Sequence, residues 1–219
     1  MRPQIKAYNH CRKLNFKKYD YLIFYDIDEF IYLRHFTNIK DFLVQKIFDK
    51  CQRIELNHFL HTDNNLLYYD NRTVVQRFPK KDKRYLSLKK EQRREVIKSI
   101  LKGNIEIRIH DIHILNSSLI GCDGFGNIRK NNIYFTNKPD YYYNYIDHYY
   151  TKSTEEFVNK IMRGCAIHGL DNNYKMRRIN YYFKINDITL NKINYIEKKT
   201  KFNLTNIRMT LKKYKKGII

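Results

Sequence analysis

The stretch Tyr21-Leu22-Ile23-Phe24-Tyr25-Asp26-Ile27-Asp28-Glu29-Phe30-Ile31 constrains this chain more than any other. Apolar and aromatic residues run without interruption into three carboxylates, and Phe30-Ile31 closes the segment. A short continuous apolar run of this kind predicts a strand covered on both faces, as in parallel or mixed sheets under helices. Open α/β sheets present ligands beyond the carboxyl ends of their strands. On an extended chain Asp26 and Asp28 would point the same way, roughly 6–7 Å apart. Two carboxylates leaving a buried strand together repel each other and lose hydration unless a cation lies between them. Oxygen ligands suit a hard divalent ion, and Mg²⁺ takes one or two carboxylates together with substrate phosphates. The pattern therefore predicts a metal-bridged diphosphate.

Around this stretch the periodicities alternate between helix and strand. A short amphipathic helix is expected over residues 2 to 15, with Gln4, Ala7, Cys11 and Leu14 on one side. Thr37 or Asn38 can cap a helix through Lys50, and Cys51 to Leu60 reads as a strand. Further strands are expected at 73–78, 96–101 and 105–115, a loop at 62–65 and a turn at 121–126. The charge-dense run from Lys80 to Arg94 reads as a solvated loop or exposed helix. Ser153 with Glu156 forms a capping box for a helix ending near Gly164, and the basic remainder from Asp171 reads as partly helical.

This alternation predicts an α/β class. A chain of 219 residues can form one domain with a real core, and its 42% hydrophobic content excludes intrinsic disorder. A single domain over 1–219 is therefore expected. The net charge of +21 would suit nucleic acid or an anionic surface. However, the lysines are spread along the chain, and a carboxylate cluster repels phosphate when no metal is present. Cys11, Cys51, Cys122 and Cys165 show no paired spacing, so isolated thiols in a reducing, cytoplasmic setting are expected. No signal peptide or membrane-spanning run is apparent.

Several blocks, in order, resemble glycosyltransferases of the family 2 and family 92 type. They are the Asp-Ile-Asp-Glu-Phe strand end at 26–30, Val74-Val75 with Arg77-Phe78, and Lys98-Ser99-Ile100. The last is His148-Tyr149-Tyr150-Thr151-Lys152-Ser153, followed by Glu155-Glu156-Phe157 and Lys160 to Gly164. Together they cover roughly residues 4 to 165, leaving 166–219 as a basic helical extension. Asp147 stands where the family has Asn, and His58 where it has Trp.

The resemblance implies a GT-A-like mixed sheet flanked by helices and a nucleotide-sugar donor. It also implies a DxD-type metal site for Mn²⁺ or Mg²⁺ and a glycan, protein or lipid acceptor. The carried-over metal ligands are Asp26, Asp28 and His148. Lys98, Lys152 and Arg163 are candidate contacts to phosphate or acceptor, and Glu29, Asp63 and Asp123 are candidate catalytic bases. A GT-A domain begins with strands that grip the nucleotide base, and only about twenty residues precede Tyr21 here. The expectation is thus an N-terminally truncated fold. Two other classes compete with the transferase reading: a basic module for nucleic acid or other anions, and a non-catalytic transferase fragment.

Overall fold

The computed structural model describes residues 3–82, 95–129, 135–136, 141–164 and 171–215. The chain forms two compact units, one of Met1–Phe59 with Tyr85–His148, the other of Leu60–Arg84 with Tyr149–Ile219.

The first unit is a mixed sheet. Its strands are β1 (Tyr21–Ile23), β2 (Glu29–Leu33), β3 (Arg53–Leu60), β4 (Glu95–Lys102), β5 (Gly121–Asp123), β6 (Phe135–Thr136) and β7 (Asn144–His148). The order is β1-β4-β3-β7-β2, with β5 on β3 and β6 on β4. β3 pairs antiparallel with β4 and parallel with β5, and β2 pairs antiparallel with β7. Every residue of β3 is buried, the polar Arg53, Glu55, Asn57 and His58 included.

Side chains alternate across each strand, so neighbouring residues feed opposite faces. Ile54, Leu56, Ile100 and Ile146 pack with Phe42 and Phe48, from α2 (Ile39–Leu43) and the 3-10 turn Lys46–Phe48. Leu22, Leu101, Ile109 and Leu115 pack instead with Ile5 and Tyr8 of α1 (Pro3–Leu14). Each such side chain contributes on the order of 1.5–3 kcal/mol when fully buried.

Five expectations about local structure are corrected. The acidic stretch is not one strand: β1 stops at Ile23, and the Glu29 amide donates to the Asp26 carbonyl (3.0 Å) across a turn that leaves Ile27 96% exposed. Beyond the turn Asp28 and Glu29 are both buried, while the Asp26 side chain is 43% exposed. Residues 73–78 form α3 (Val74–Arg77) rather than a strand, because Thr73 and Gln76 make a reciprocal capping box. Residues 105–115 form no strand. Asp111 Oδ1 accepts from the His113 and Ile114 amides, and Leu115 adopts a left-handed backbone. The helix from Asn38 breaks after Leu43. The turn expected at 121–126 is confined to 124–126, because 121–123 pair as β5; at Gly121 a Cβ would lie 2.4 Å from the Glu55 carboxylate, which pairs with Arg53.

The cysteines are the sixth correction. Cys51 and Cys122 are buried and joined by a disulfide between the start of β3 and its parallel neighbour β5. Bonds of this kind persist in oxidising compartments. Cys11 is a free, half-buried thiol, and Cys165 lies outside the described residues. Most of the charge-dense run, from 83 to 94, also lies outside them.

The second unit is helical. α4 (Thr154–Arg163), α5 (Asn172–Ile185), α6 (Leu190–Thr200) and α7 (Thr205–Lys215) follow α3. Ser153 and Glu156 make the predicted capping box on α4, and Asp171 and Thr189 cap α5 and α6. Phe157 stacks on Tyr182 with ring centroids 4.4 Å apart. Asp63 is buried against the Lys192 ammonium (2.7 Å) and accepts from the Tyr182 hydroxyl. Among the described residues no helix is long and apolar enough to cross a membrane.

Arg77 is held at the end of α3 by both carboxylate oxygens of Glu156, at 2.5 and 3.2 Å. Burial pushes the Glu156 carboxyl up, but the hydrogen bonds from Arg77 and Ser153 outweigh it and hold the group below its ordinary range. A carboxylate whose pKa is lower in the folded state contributes stability above its unfolded value, about 4.3, and loses it as pH falls through the folded value. Urea midpoints of wild type and Glu156→Gln should therefore differ most above pH 5 and converge on acidification. A gap that stays constant from pH 7 to 3 would contradict this.

Candidate metal centre

Four neighbouring strands bring ionisable groups to one end of the first unit's sheet. His58 follows Ile54 and Leu56 at the two-residue period on β3, so it shares their face. By the same period Lys98 goes with Ile100 on β4, His148 with Ile146 on β7 and Glu29 with Ile31 on β2. Those apolar partners belong to or pack against one core cluster. The face is thus apolar along its length and ends in a row of Lys98, His58, His148 and Glu29. The β2–β7 register sets Glu29 directly opposite His148, and Leu56 of β3 opposite Lys98.

The side chains converge. One ligand atom each from Glu29, His58 and His148 lies within 4.8 Å of the others. His58 Nε2 is 3.4 Å from Glu29 Oε1, and His148 Nε2 is 3.8 Å from Asp28 Oδ1. The two imidazole rings stand edge to face at 4.8 Å. Lys98 Nζ lies 3.1 Å from Glu29 Oε2, 3.3 Å from its Oε1 and 3.2 Å from Asp26 Oδ2. The Asp26 amide donates back to Glu29 Oε2, which fixes the turn against the carboxylate.

Burial and charge set the protonation of this row. Burial pushes Glu29 up to about 7, against the pull of Lys98 and with the Asp26 carboxylate adding to the rise. Burial also raises Asp26, but Lys98 outweighs it and holds Asp26 below its usual range. Burial alone would lower Lys98, and the two carboxylates keep it above its ordinary value. His58 is pushed well below the usual imidazole range, first by burial and then by His148, His113 and Lys98. A neutral imidazole keeps a lone pair for a metal. His58 Nε2 is buried with no hydrogen-bond partner, so the residues present fit a cation at Glu29, His58 and His148.

The sequence-predicted residues fall as follows. Asp28, which is buried, and His148, which is half-buried, approach to 3.8 Å, while the Asp26 side chain is 43% exposed and engaged by Lys98. Lys98 is buried and committed to two carboxylates rather than open to a substrate. Of the candidate bases, Glu29 lies in the row. Asp123 is tied into its own turn by the Phe125 and Asn127 amides, and Asp63 is tied to Lys192 in the second unit. Lys152 and Arg163 also belong to the second unit, Lys152 with a left-handed backbone and Arg163 exposed at the end of α4. His113 donates to the Ile97 carbonyl from its Nδ1 (3.1 Å) and stands 6.1 Å from the His58 ring, outside the converging trio.

Sequence reasoning did not place His58 or Glu29 among the candidate metal ligands. The signal for His58 was its period with Ile54 and Leu56, which carries it to the carboxyl end of a wholly buried strand. Comparison with known proteins finds no matching family model, no matching curated protein and no matching solved structure.

Proposed function

We propose that this chain is a metal-dependent glycosyltransferase of GT-A type, moving a sugar from a nucleotide-sugar donor to an acceptor hydroxyl. The carrying observation is the approach of His148 to Asp28 and Glu29, which joins the two most specific blocks of the sequence resemblance at a single point. Glu29, His58 and His148 would hold the cation, with Asp28 beside it. When bound, a divalent ion supplies a Lewis acid for the departing nucleoside diphosphate. Two imidazoles among the ligands suit Mn²⁺ better than Mg²⁺, which prefers an all-oxygen shell.

The chain's own groups prepare that point. Lys98 offsets the repulsion between Asp26 and Glu29 and so keeps both carboxylates at the strand end. Burial keeps His58 neutral and aimed at Glu29. The β2–β7 register fixes the distance between Glu29 and His148 without depending on a loop.

Calorimetric titration of metal-free protein with MnCl₂, then with UDP- and GDP-sugars, tests the reading. Saturable Mn²⁺ binding is expected, followed by donor binding that requires the metal and is lost in Asp28→Ala. Donor binding that is equal with and without metal, or absent in its presence, would overturn the proposal.

A further inference from the structure

We propose that Asn71, in the second unit, is an acceptor for an N-linked glycan whose first sugar packs on the exposed ring of Tyr69. The motif Asn-x-Ser/Thr, with x other than Pro, occurs at Asn71, Asn116 and Asn203. A glycan is bulky and polar, and the folded chain accommodates it only where the asparagine stays at the surface. Asn71 is exposed, and the Asp70 carboxylate accepts from the Arg72 amide (3.0 Å), which bends the chain around it. Among the described residues its side chain makes no hydrogen bond. Asn116 differs: it is half-buried, its Nδ2 donates to the Arg108 carbonyl (2.8 Å), and its Oδ1 accepts from the Ser118 amide and hydroxyl. Asn203 is exposed, but Lys201 stands two residues before it, where Asn71 has Tyr69.

Two independent observations point to a covalent sugar at this position. The buried Cys51–Cys122 disulfide is a bond of oxidising compartments, and in eukaryotic cells those are the compartments where asparagines are glycosylated. Tyr69 is 57% exposed, and the Arg77 guanidinium lies 4.7 Å from its ring centroid. Arg77 is itself pinned by Glu156, so the ring is held in place on that side. Among the described residues no second ring or cation meets Tyr69. A pyranose has one face of C–H groups, and laid on the open side of that ring it takes apolar area out of water. In the modification, Asn71 Nδ2 displaces the diphosphate from C1 of a lipid-linked oligosaccharide. The C1–N bond forms, and the C1–O bond breaks with its electron pair leaving on the lipid diphosphate. An amide proton passes to a base of the host oligosaccharyltransferase, and the Thr73 hydroxyl is the group the motif requires two residues on. None of these residues is a candidate metal ligand, so the site does not depend on the transferase reading.

Expression of the whole chain in insect cells behind a cleavable secretion signal tests the site, with Asn203→Gln throughout so that a single glycan is read. Peptide mass spectrometry, on secreted and cell-retained material alike, should find a glycosidase-sensitive glycan at Asn71 and none at Asn116. Asn71→Gln and Thr73→Ala should lose it, and Thr73→Ser should keep it. The glycosylated protein should melt about 2–4 °C above Asn71→Gln. That gap should close when both proteins also carry Tyr69→Ala, since the ring is then gone. Asn71 found unmodified, a glycan at Asn116 instead, or a melting gap that is absent or indifferent to Tyr69 would each overturn the proposal.

Discussion

Replacing His148 by Ala is expected to weaken Mn²⁺ binding by at least about 100-fold, since outer partners of a metal site alone cost 10–100-fold. The residue ends β7, and its imidazole reaches both the Asp28 carboxylate and the Glu29–His58 pair. Without it the remaining groups lie on two strands that present one carboxylate and one neutral imidazole. The fold should survive, because His148 is at a strand end and half-buried, and near- and far-ultraviolet circular dichroism should match wild type. His113→Ala is the control: its ring is close by but outside the trio, and Mn²⁺ affinity should be kept. If His148→Ala binds Mn²⁺ as wild type does, the site is elsewhere.

The second large effect is on stability. Lys98→Met leaves the buried Glu29 and its neighbour Asp26 without their shared cation. Removing one partner of a buried ion pair typically costs about 3–5 kcal/mol, and urea denaturation of metal-free protein at pH 8 should show a loss of that order. Adding Glu29→Gln should recover much of it, because the stranded charge is then gone. A bound divalent ion is also relieved of a neighbouring ammonium in Lys98→Met, so Mn²⁺ should raise the melting temperature of this variant more than that of wild type. A loss below about 1 kcal/mol would show that Lys98 is not the balancing charge. A smaller Mn²⁺ response than wild type would show that Lys98 does not oppose the metal.

The parts legible in the sequence are those whose forces act within a few residues. The capping box of Ser153 with Glu156, the helix behind it and the strand β3, with its loose alternation of Ile54, Leu56 and Phe59, were read directly, because the signals lie within a few residues. Local signals also existed where the reading failed. Thr73 with Gln76 is a capping box in a stretch whose Val74-Val75 pair suggested a strand, and the cap prevailed. At 105–115 the β-branched residues suggested a strand, but the Asp111 side chain takes the amides a ladder would have used. Cys51 and Cys122 gave no sign of pairing. They lie 71 residues apart and meet only because β5 runs parallel to β3.

The candidate site divides along the same line. Asp26, Asp28 and His148 could be named from composition and resemblance, since carboxylates after a buried strand need a cation or a counter-charge. Which groups gather around that point could not. Glu29 faces His148 through the β2–β7 register, His58 arrives on β3, and Lys98 claims the carboxylates from β4.

The sequence by itself determined where the chain turns acidic, which segments are covered, and which local caps close its helices. Only the tertiary structure decided the company those acids keep. Pairing between strands far apart in the chain sets which side chains share a few ångströms, and burial there sets whether each bears a charge.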